Sequence, residues 1–154
     1  MSIVAVIPAR GGSKGIPGKN LRAVGGESLV RRAVASCLRS ALIDHVFVST
    51  DDQTIAAEAT ASGAAVILRP RELAGDTASS ESALLHALDE IEMSHGTPNT
   101  LVFVQCTSPF IDPISLDRAI KQVASGNADS VFAALETYEF LWAVDSDGLA
   151  SAIN

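Results

Sequence analysis

The sequence predicts an α/β protein with an open, mostly parallel β-sheet covered by helices. Short runs of apolar, β-branched residues alternate along the chain with segments that have the apolar spacing of a helix face. Glycine-rich or polar segments follow several of the predicted strands, where ligand-binding groups lie in sheets of this kind. The chain has 154 residues, 47% of them hydrophobic, which is sufficient for one domain with a substantial core.

The predicted elements cover most of the chain. The strands are apolar throughout, as in strands buried on both faces, and lie at residues 2–9, 45–49, 64–68, 101–105 and 130–135. The helices repeat apolar residues every three or four positions and lie at residues 27–41, 53–62, 79–93 and 114–124. Ser28 is the expected N-cap of the first helix, and residues 76–80 form an N-cap cluster for the third. Residues 140–144 and 149–153 are expected to form a hairpin around Asp145–Gly148, with Phe140 and Trp142 packed.

Charge is distributed unevenly along the chain. The formal net charge is −7, yet residues 1–39 contain seven of the eleven lysines and arginines and a single acid, Glu27. The net negative charge disfavours a nucleic-acid partner, whereas a small basic region suits a compact anionic ligand. The apolar N-terminal run is too short to span a bilayer and no basic segment precedes it, so we expect a cytoplasmic protein that does not bind membranes. Cys37 and Cys106 are expected to be reduced, structural thiols.

The segment best suited to binding a ligand is the glycine-rich loop, residues 10–20, which follows the first predicted strand. It contains four glycines and the three cations Arg10, Lys14 and Lys19. Glycines allow backbone N–H groups to turn toward an anion, and the cations neutralise its charge. The spacing matches neither the P-loop nor the G-x-G-x-x-G pattern. The loop therefore predicts a phosphate site of another type.

Four segments, in order, resemble one known family. Ile7–Asn20 (IPARGGSKGIPGKN) is similar to the signature loop of the acylneuraminate cytidylyltransferases, which include the CMP-sialic acid synthetases. Residues 48–52 (VSTDD), 68–80 (LRPRELAGDTASS) and 104–109 (VQCTSP) resemble three further segments of that family. The octulosonate cytidylyltransferases usually lack the Gly-Gly-Ser-Lys run in the first loop, so we rank them second.

The resemblance implies a three-layer, Rossmann-like nucleotide-diphospho-sugar transferase fold with a mostly parallel sheet. It implies transfer of CMP from CTP to the anomeric hydroxyl of a sialic acid-like, nine-carbon sugar acid, with release of pyrophosphate. The implied catalytic residues are Arg10 and Lys19, which would bind and polarise the triphosphate. Gln105 is the implied sugar contact. The implied nucleotide-binding residues are Ser13, Lys14, Asn20, Arg69, Ala78 and Ser80.

The resembled family also has a longer catalytic domain, with a dimerisation segment and late aspartates that bind Mg²⁺. We therefore expect residues 1–154 to be a cytidylyltransferase domain that is incomplete at its C-terminus, with Mg²⁺ as cofactor and its ligands beyond Asn154. A homodimer is expected for the complete enzyme, and the isolated chain is expected to be nearly inactive. A non-catalytic nucleotide-binding fragment of the same fold is the alternative. Phe110-Ile111-Asp112 stands where the family often has Leu-Arg, which bears on sugar specificity.

Several polar residues have a structural and a functional interpretation. Asp51 and Asp52 are expected to cap the following helix, with an outer position near a metal as the alternative. Arg69 has a surface ion pair with Glu72 as its structural alternative. Asp145 and Asp147 imitate a D-x-D metal pair, but the following glycine favours a hairpin turn. The arginines of the first predicted helix are interpreted as solvated helix charges.

Overall fold

The computed structural model describes residues 2–13, 15–75, 79–136 and 141–153. Within these ranges it forms an α/β fold, as predicted. The strands are β1 Ile3–Pro8, β2 Ala23–Val24, β3 Glu27–Ser28, β4 His45–Thr50, β5 Ala65–Leu68, β6 Thr100–Phe103, β7 Trp142–Val144 and β8 Ala150–Ala152. The α-helices are α1 Leu29–Leu38, α2 Gln53–Ala61, α3 Ser80–His95 and α4 Pro113–Ala124.

The main sheet has four parallel strands in the order β5-β4-β1-β6. Strand β1 is central, because it pairs with β4 from Val4 to Pro8 and with β6 from Ile3 to Val6. The side chains of Ile3 to Ile7 are buried, which explains why the sequence of this strand is apolar without alternation. The predicted parallel sheet is therefore confirmed.

Helices cover both faces of this sheet. Ala5 and Ile7 point to one face, where α1 and α2 pack through residues such as Val34 and Ile55 and where Leu116 of α4 joins the core. Val4, Val6 and Phe47 point to the other face, where they contact Ala87 and Ile91 of α3. The two cores on opposite faces give the three layers expected from the sequence.

Side-chain caps determine where the helices begin. Ser28 Oγ accepts a hydrogen bond from the backbone N–H of Arg31, as predicted for α1. Asp52 Oδ1 accepts from two backbone N–H groups at the start of α2, and Ser79 Oγ accepts from Ser82 N at the start of α3. Asp112 caps α4 in the same way. These contacts satisfy backbone donors that have no partner inside the helix.

One predicted strand is absent. Residues 130–135 pair with no other strand of the described chain, and the side chains of Phe132 and Leu135 are each 85% exposed. The strand prediction was therefore wrong. An apolar, β-branched segment becomes a strand only where a neighbouring strand edge accepts its backbone hydrogen bonds, and sequence pattern does not report that edge.

Two hairpins complete the fold. The predicted terminal hairpin is confirmed as antiparallel β7 and β8, with a turn closed by the hydrogen bond from Gly148 N to Asp145 O. Trp142 is 60% exposed, so the expectation that it packs was wrong, and Phe140 lies outside the described residues. The pair of β2 and β3 was not predicted. Its turn residues Gly25 and Gly26 both have positive φ. A Gly-Gly pair favours a tight hairpin turn, so the sequence did contain a signal for this hairpin.

No helix in the described ranges combines the length and the apolar character that a membrane-spanning helix requires.

The packing of α3 provides a test of the fold. Ile91 is fully buried against the sheet, whereas Leu85 on the same helix is 56% exposed. Ile91→Ala is expected to lower the free energy of unfolding by about 2–5 kcal/mol, because it removes buried methyl groups and leaves a cavity. Leu85→Ala, the matched control, is expected to change it by less than about 1 kcal/mol. Urea denaturation followed by circular dichroism measures both, and equal losses would contradict the placement of α3.

Candidate functional site

The parallel register brings four loops to one edge of the sheet. Strands β1, β4, β5 and β6 all run in the same direction, so their carboxyl ends lie side by side. The residues that follow them are Arg10 after β1, Asp51 after β4, Arg69 after β5 and Gln105 after β6. The structure thus assembles at one edge residues that are separated by up to 95 positions in sequence, in the location where ligands bind such sheets.

The glycine-rich loop begins with a peptide unit that is held on both sides. We call the peptide between Arg10 and Gly11 the loop-root peptide. Its carbonyl oxygen, on Arg10, accepts a hydrogen bond of 3.0 Å from Asn20 Nδ2. Its N–H, on Gly11, donates to Asp51 Oδ1 at 3.0 Å. The orientation of this peptide, and with it the start of the Arg10 side chain, is therefore determined by residues 10 and 40 positions further along the chain.

The C-terminal part of the glycine-rich loop also has a defined conformation. Gly18, at φ +64°, leads into a short 3₁₀ turn, Lys19–Leu21, which is the kind of turn that glycine permits. Asn20 in this turn is buried, and its side chain holds the loop-root peptide. Lys19 is half-buried and lies close enough to Cys106 to influence the ionisation of its thiol. Ser13 lies on the opposite limb, with its N–H bonded to Gly11 O.

Arg69 is a buried cation at this edge. Its Nη2 donates to the carbonyl oxygen of Ser49 at 2.9 Å, and its Nε donates to Ser49 Oγ at 3.2 Å. The side chain is 8% exposed, so the alternative of a surface pair with Glu72 was wrong. Burial lowers the pKa of Arg69 from its ordinary value, the charge of Asp51 raises it, and the charge of Arg10 lowers it further. Arg10, Asp51 and Arg69 therefore share one electrostatic environment.

The segment after Arg69 leads to the start of α3. The guanidinium of Arg10 donates to the carbonyl oxygen of Gly75 at 3.2 Å, which joins the glycine-rich loop to this segment. Ser79 caps α3, as the predicted cluster required, and Ser80 is the exposed first residue of the helix. Of the predicted nucleotide-binding residues, Lys14 and Ala78 lie outside the described residues.

Gln105, the predicted sugar contact, is exposed at the end of β6. Its Oε1 accepts a hydrogen bond from Thr107 Oγ1 at 3.3 Å, within the turn that Ser108 N closes on Gln105 O. Further along the same loop, Arg32 Nε donates to Pro109 O at 3.1 Å, and the guanidinium lies 5.7 Å from the ring centroid of Phe110. Arg32 therefore anchors this loop to α1 and is not a solvated helix charge, a role that no sequence signal indicated.

The two thiols lie in the core beneath this edge. Burial raises the pKa of Cys106 to about 12, although its own backbone hydrogen bond and the charge of Lys19 lower it. Burial, with a smaller contribution from Cys106, raises the pKa of Cys37 to about 12. Both cysteines are free and buried, which agrees with structural thiols.

The described residues contain no group of three or more His, Cys, Asp or Glu side chains that could hold a metal ion. Asp52 is occupied as the N-cap of α2, which confirms the capping interpretation for this residue. Asp51 does not cap the helix and accepts from the loop-root peptide instead. Asp145 accepts from the backbone of its own hairpin turn, as expected.

The approach of the two loops predicts a specific requirement for glycine at position 11. A Cβ placed on Gly11 would lie 2.7 Å from Asp52 Oδ2 and 2.9 Å from Asp52 Cβ, whereas a Cβ on Gly12 would meet nothing within 4 Å. Gly11→Ala is expected to lower the free energy of unfolding by about 1–3 kcal/mol through overpacking. Gly12→Ala, the control, is expected to change it by about 0.5 kcal/mol or less. Thermal denaturation of both variants would contradict this contact if their midpoints coincided.

The raised thiol pKa values predict low reactivity in the native state. At pH 8 very little of Cys37 or Cys106 is thiolate, while unfolded thiols have a pKa near about 8.5 and react readily. A disulfide reagent is expected to modify both cysteines rapidly in guanidinium chloride and only slowly in buffer. Stability is also expected to fall as the pH rises above about 8.5, because the unfolded chain then releases thiol protons that the folded chain retains. Fast native modification would contradict the burial.

Comparison with known proteins identifies relatives. Residues 4–152 match the model of a family described as cytidylyltransferase. The N-acylneuraminate cytidylyltransferase A of Danio rerio is 36% identical over 140 residues, which are 91% of this chain and 32% of that protein. The CMP-N,N'-diacetyllegionaminic acid synthase of Legionella pneumophila is 36% identical over 122 residues, 79% of this chain and 53% of that protein. The pseudaminic acid cytidylyltransferase of Campylobacter jejuni is 31% identical over 137 residues, which are 88% of this chain and 59% of that protein.

Solved structures agree with the fold. A structure of CMP:2-keto-3-deoxy-manno-octonic acid synthetase complexed with CTP superposes with a TM-score of 0.72 at 25% identity and covers 83% of this chain and 49% of that one. A 4-diphosphocytidyl-2C-methyl-D-erythritol synthase superposes with a TM-score of 0.76 at 16% identity. The superposition covers 99% of this chain and 68% of that one, and it supports the fold alone. The chain spans between about a third and three fifths of the length of the relatives described above. Because the family model matches residues 4–152, which is nearly all of this chain, the chain belongs to the cytidylyltransferase family.

Proposed function

We propose that this chain carries the nucleotide-binding part of an enzyme that transfers CMP from CTP to the anomeric hydroxyl of a sialic acid-like, nine-carbon sugar acid. The observation that carries the proposal is the assembly at one sheet edge of Arg10, Lys19 and Arg69 around a glycine-rich loop. A compact set of cations at the carboxyl ends of parallel strands suits a nucleoside triphosphate. The family membership supplies the cytidine and the transfer chemistry.

The proposed chemistry is a displacement at phosphorus. The anomeric hydroxyl attacks the α-phosphorus of CTP and loses its proton to solvent as the new phosphorus–oxygen bond forms, and the bond from that phosphorus to the bridging oxygen breaks as pyrophosphate leaves. Negative charge accumulates on the phosphoryl oxygens and the leaving group, so positioned cations accelerate the step. We assign Arg10 and Lys19 to this role, with Ser13, Lys14 and Asn20 lining or supporting the loop. Asn20 already holds the loop-root peptide, so its contribution includes the order of the loop.

Recognition of the cytosine base is assigned to the segment that follows β5. Arg69 is held by two contacts to Ser49, so its position is defined before a ligand arrives. Ala78 and Ser80 complete this proposed pocket, in which backbone and side-chain donors read the edge of a pyrimidine. A pocket built to satisfy one base leaves its own polar groups unpaired with another base, which produces discrimination.

The class of sugar acid is proposed from the names of the relatives. Those described above are named for neuraminate, legionaminic acid and pseudaminic acid, which are all nine-carbon acids. The CTP-bound octonic acid synthetase supports an eight-carbon acid as a second candidate, at lower identity. Gln105, exposed beside the site, is the proposed sugar contact. Because this chain spans less than two thirds of those relatives, the complete reaction, a homodimer and a cytoplasmic location are proposals for the whole protein.

Mg²⁺ is part of the proposal for the whole protein. The metal, when bound, would offset the charge of the phosphates. The residues of this chain bind and orient the nucleotide. A non-catalytic nucleotide-binding role for this chain on its own is the second candidate, because the chain spans only about a third to three fifths of the length of the relatives described above.

Nucleotide preference tests the proposed function directly. The purified chain is expected to bind CTP more tightly than UTP by about 1–3 kcal/mol, since exchange of the 4-amino donor for a carbonyl acceptor leaves one buried group unpaired. ATP and GTP are expected to bind more weakly, because their bases are too large for a pyrimidine pocket. Isothermal titration calorimetry measures all four, and similar affinities throughout would contradict base recognition. Release of pyrophosphate with a panel of sugar acids would then separate catalysis from binding alone.

Lys19 is expected to contribute mainly to turnover. In a form of the protein that releases pyrophosphate, Lys19→Ala is expected to raise the barrier by about 2–4 kcal/mol, because the lost charge faces the developing negative charge. CTP affinity is expected to change less. Lys121→Ala, an exposed lysine at the end of α4, is the control and is expected to leave kcat unchanged. If kcat of the Lys19 variant matched that of the control, the loop would be a docking surface only.

A further inference from the structure

Asp51 directly follows β4, at the sheet edge that holds the glycine-rich loop. Its neighbour Asp52 caps α2 through Oδ1, whereas the Asp51 side chain makes no hydrogen bond to that helix among the described residues. Its Oδ1 accepts the N–H of Gly11 at 3.0 Å, and Oδ2 has no hydrogen-bond partner in the described part of the chain. The carboxylate is therefore directed at the loop.

The hydrogen bond to Gly11 is one half of a two-sided contact. The loop-root peptide donates to Asp51 through its N–H and accepts from Asn20 through its carbonyl oxygen. A charged acceptor on one side of a peptide polarises it and strengthens the bond that its carbonyl accepts on the other side. Asp51 and Asn20 therefore hold the same peptide cooperatively, at the point where the Arg10 side chain begins.

Asp51 lies at the sheet edge between the two arginines of the site, because it follows β4, which pairs with β1 on one side and with β5 on the other. The negative charge of Asp51 raises the pKa of Arg69 and the positive charge of Arg10 lowers it, so both charges act on Arg69. Two cations that face one anion site repel each other when the site is empty. The negative charge of Asp51 offsets that repulsion. The same negative charge repels an incoming phosphate.

On the basis of the proposed function, we propose that Asp51 is a positioning residue with two separable effects on nucleotide binding. Through Oδ1 it fixes the loop-root peptide, which favours binding. Through its charge it balances Arg10 and Arg69 in the empty site, which opposes binding of the triphosphate. The two effects have opposite signs and respond to different substitutions.

Two substitutions at Asp51 separate the effects. Asp51→Asn retains an oxygen acceptor for Gly11 N–H but removes the charge, whereas Asp51→Ala removes both. Asp51→Asn is expected to bind CTP about three- to tenfold more tightly than the wild type at low salt, with the gain reduced as salt screens the charge. Asp51→Ala is expected to bind about tenfold more weakly than Asp51→Asn, because the loop is no longer held. Calorimetry without added metal measures both.

Asp44 provides a matched control. Its Oδ2 accepts the backbone N–H of Ile3 at 2.8 Å, a contact of the same type at the opposite, amino edge of the sheet. Asp44→Asn changes the net charge by the same amount and is expected to leave CTP affinity unchanged. An equal gain in Asp44→Asn and Asp51→Asn would reduce the effect to net charge and overturn the proposed charge role. Equal affinity of the two Asp51 variants would overturn the positioning role.

Hydrogen exchange of the Gly11 amide gives a readout that does not depend on nucleotide. Exchange measured by NMR is expected to be slowest in the wild type, intermediate in Asp51→Asn and fastest in Asp51→Ala, with no change in Asp44→Asn. Equal Gly11 exchange in all four proteins would overturn the anchoring. Failure of the wild type to bind CTP would overturn the proposed function and the charge role together, while exchange would still decide the anchoring. Circular dichroism verifies that each variant is folded.

Discussion

The fold and the site both depend on the central position of β1 in a parallel sheet. This strand pairs with β4 on one side and β6 on the other, and its residues from Ile3 to Ile7 are buried on both faces. A shift of this strand by one residue would exchange the side chains that face the two cores, which disrupts the close packing of both and favours the observed register. The end of β1 is consequently fixed relative to its neighbours, and the glycine-rich loop begins at a defined place.

That constraint accounts for the electrostatics of the edge. Parallel strands deliver Arg10, Asp51 and Arg69 to one location, although each belongs to a different βα unit. Arg69 retains its position through Ser49 on the neighbouring strand, and the loop-root peptide retains its orientation through Asp51 and Asn20. The cations are therefore held by the scaffold before a ligand binds. Such preorganisation reduces the cost of ordering a site around an anion.

The close approach of the loops also imposes limits on sequence. Gly11 lies so near Asp52 that a methyl group would overlap it, whereas Gly12 faces open space. The requirement for glycine at the first position thus comes from packing against another βα loop, and not from a positive φ angle, which Gly18 does have. The same loop contains glycines that serve different physical purposes, and only the three-dimensional neighbours distinguish them.

The sequence by itself determined the class of fold and most of the elements, because local signals are strong in this chain. The apolar spacing of α1, the cap at Ser28 and the buried runs of β1 and β4 depend on residues that are close in sequence. The motif resemblance likewise identified Arg10, Asn20 and Arg69 as candidates, since a motif records residues without their contacts. Roles remained open for the residues whose partners are distant in sequence.

The tertiary structure decided what those distant partners are. Residues 130–135 have the composition of a strand but no described strand edge beside them, and Trp142 is apolar yet exposed. Asp51 binds a backbone group 40 residues away, and Arg32 anchors a loop 77 residues away, so neither role has a local signature. Periodicity and capping arise from interactions within a few residues, whereas strand pairing and loop anchoring depend on which segments meet after folding.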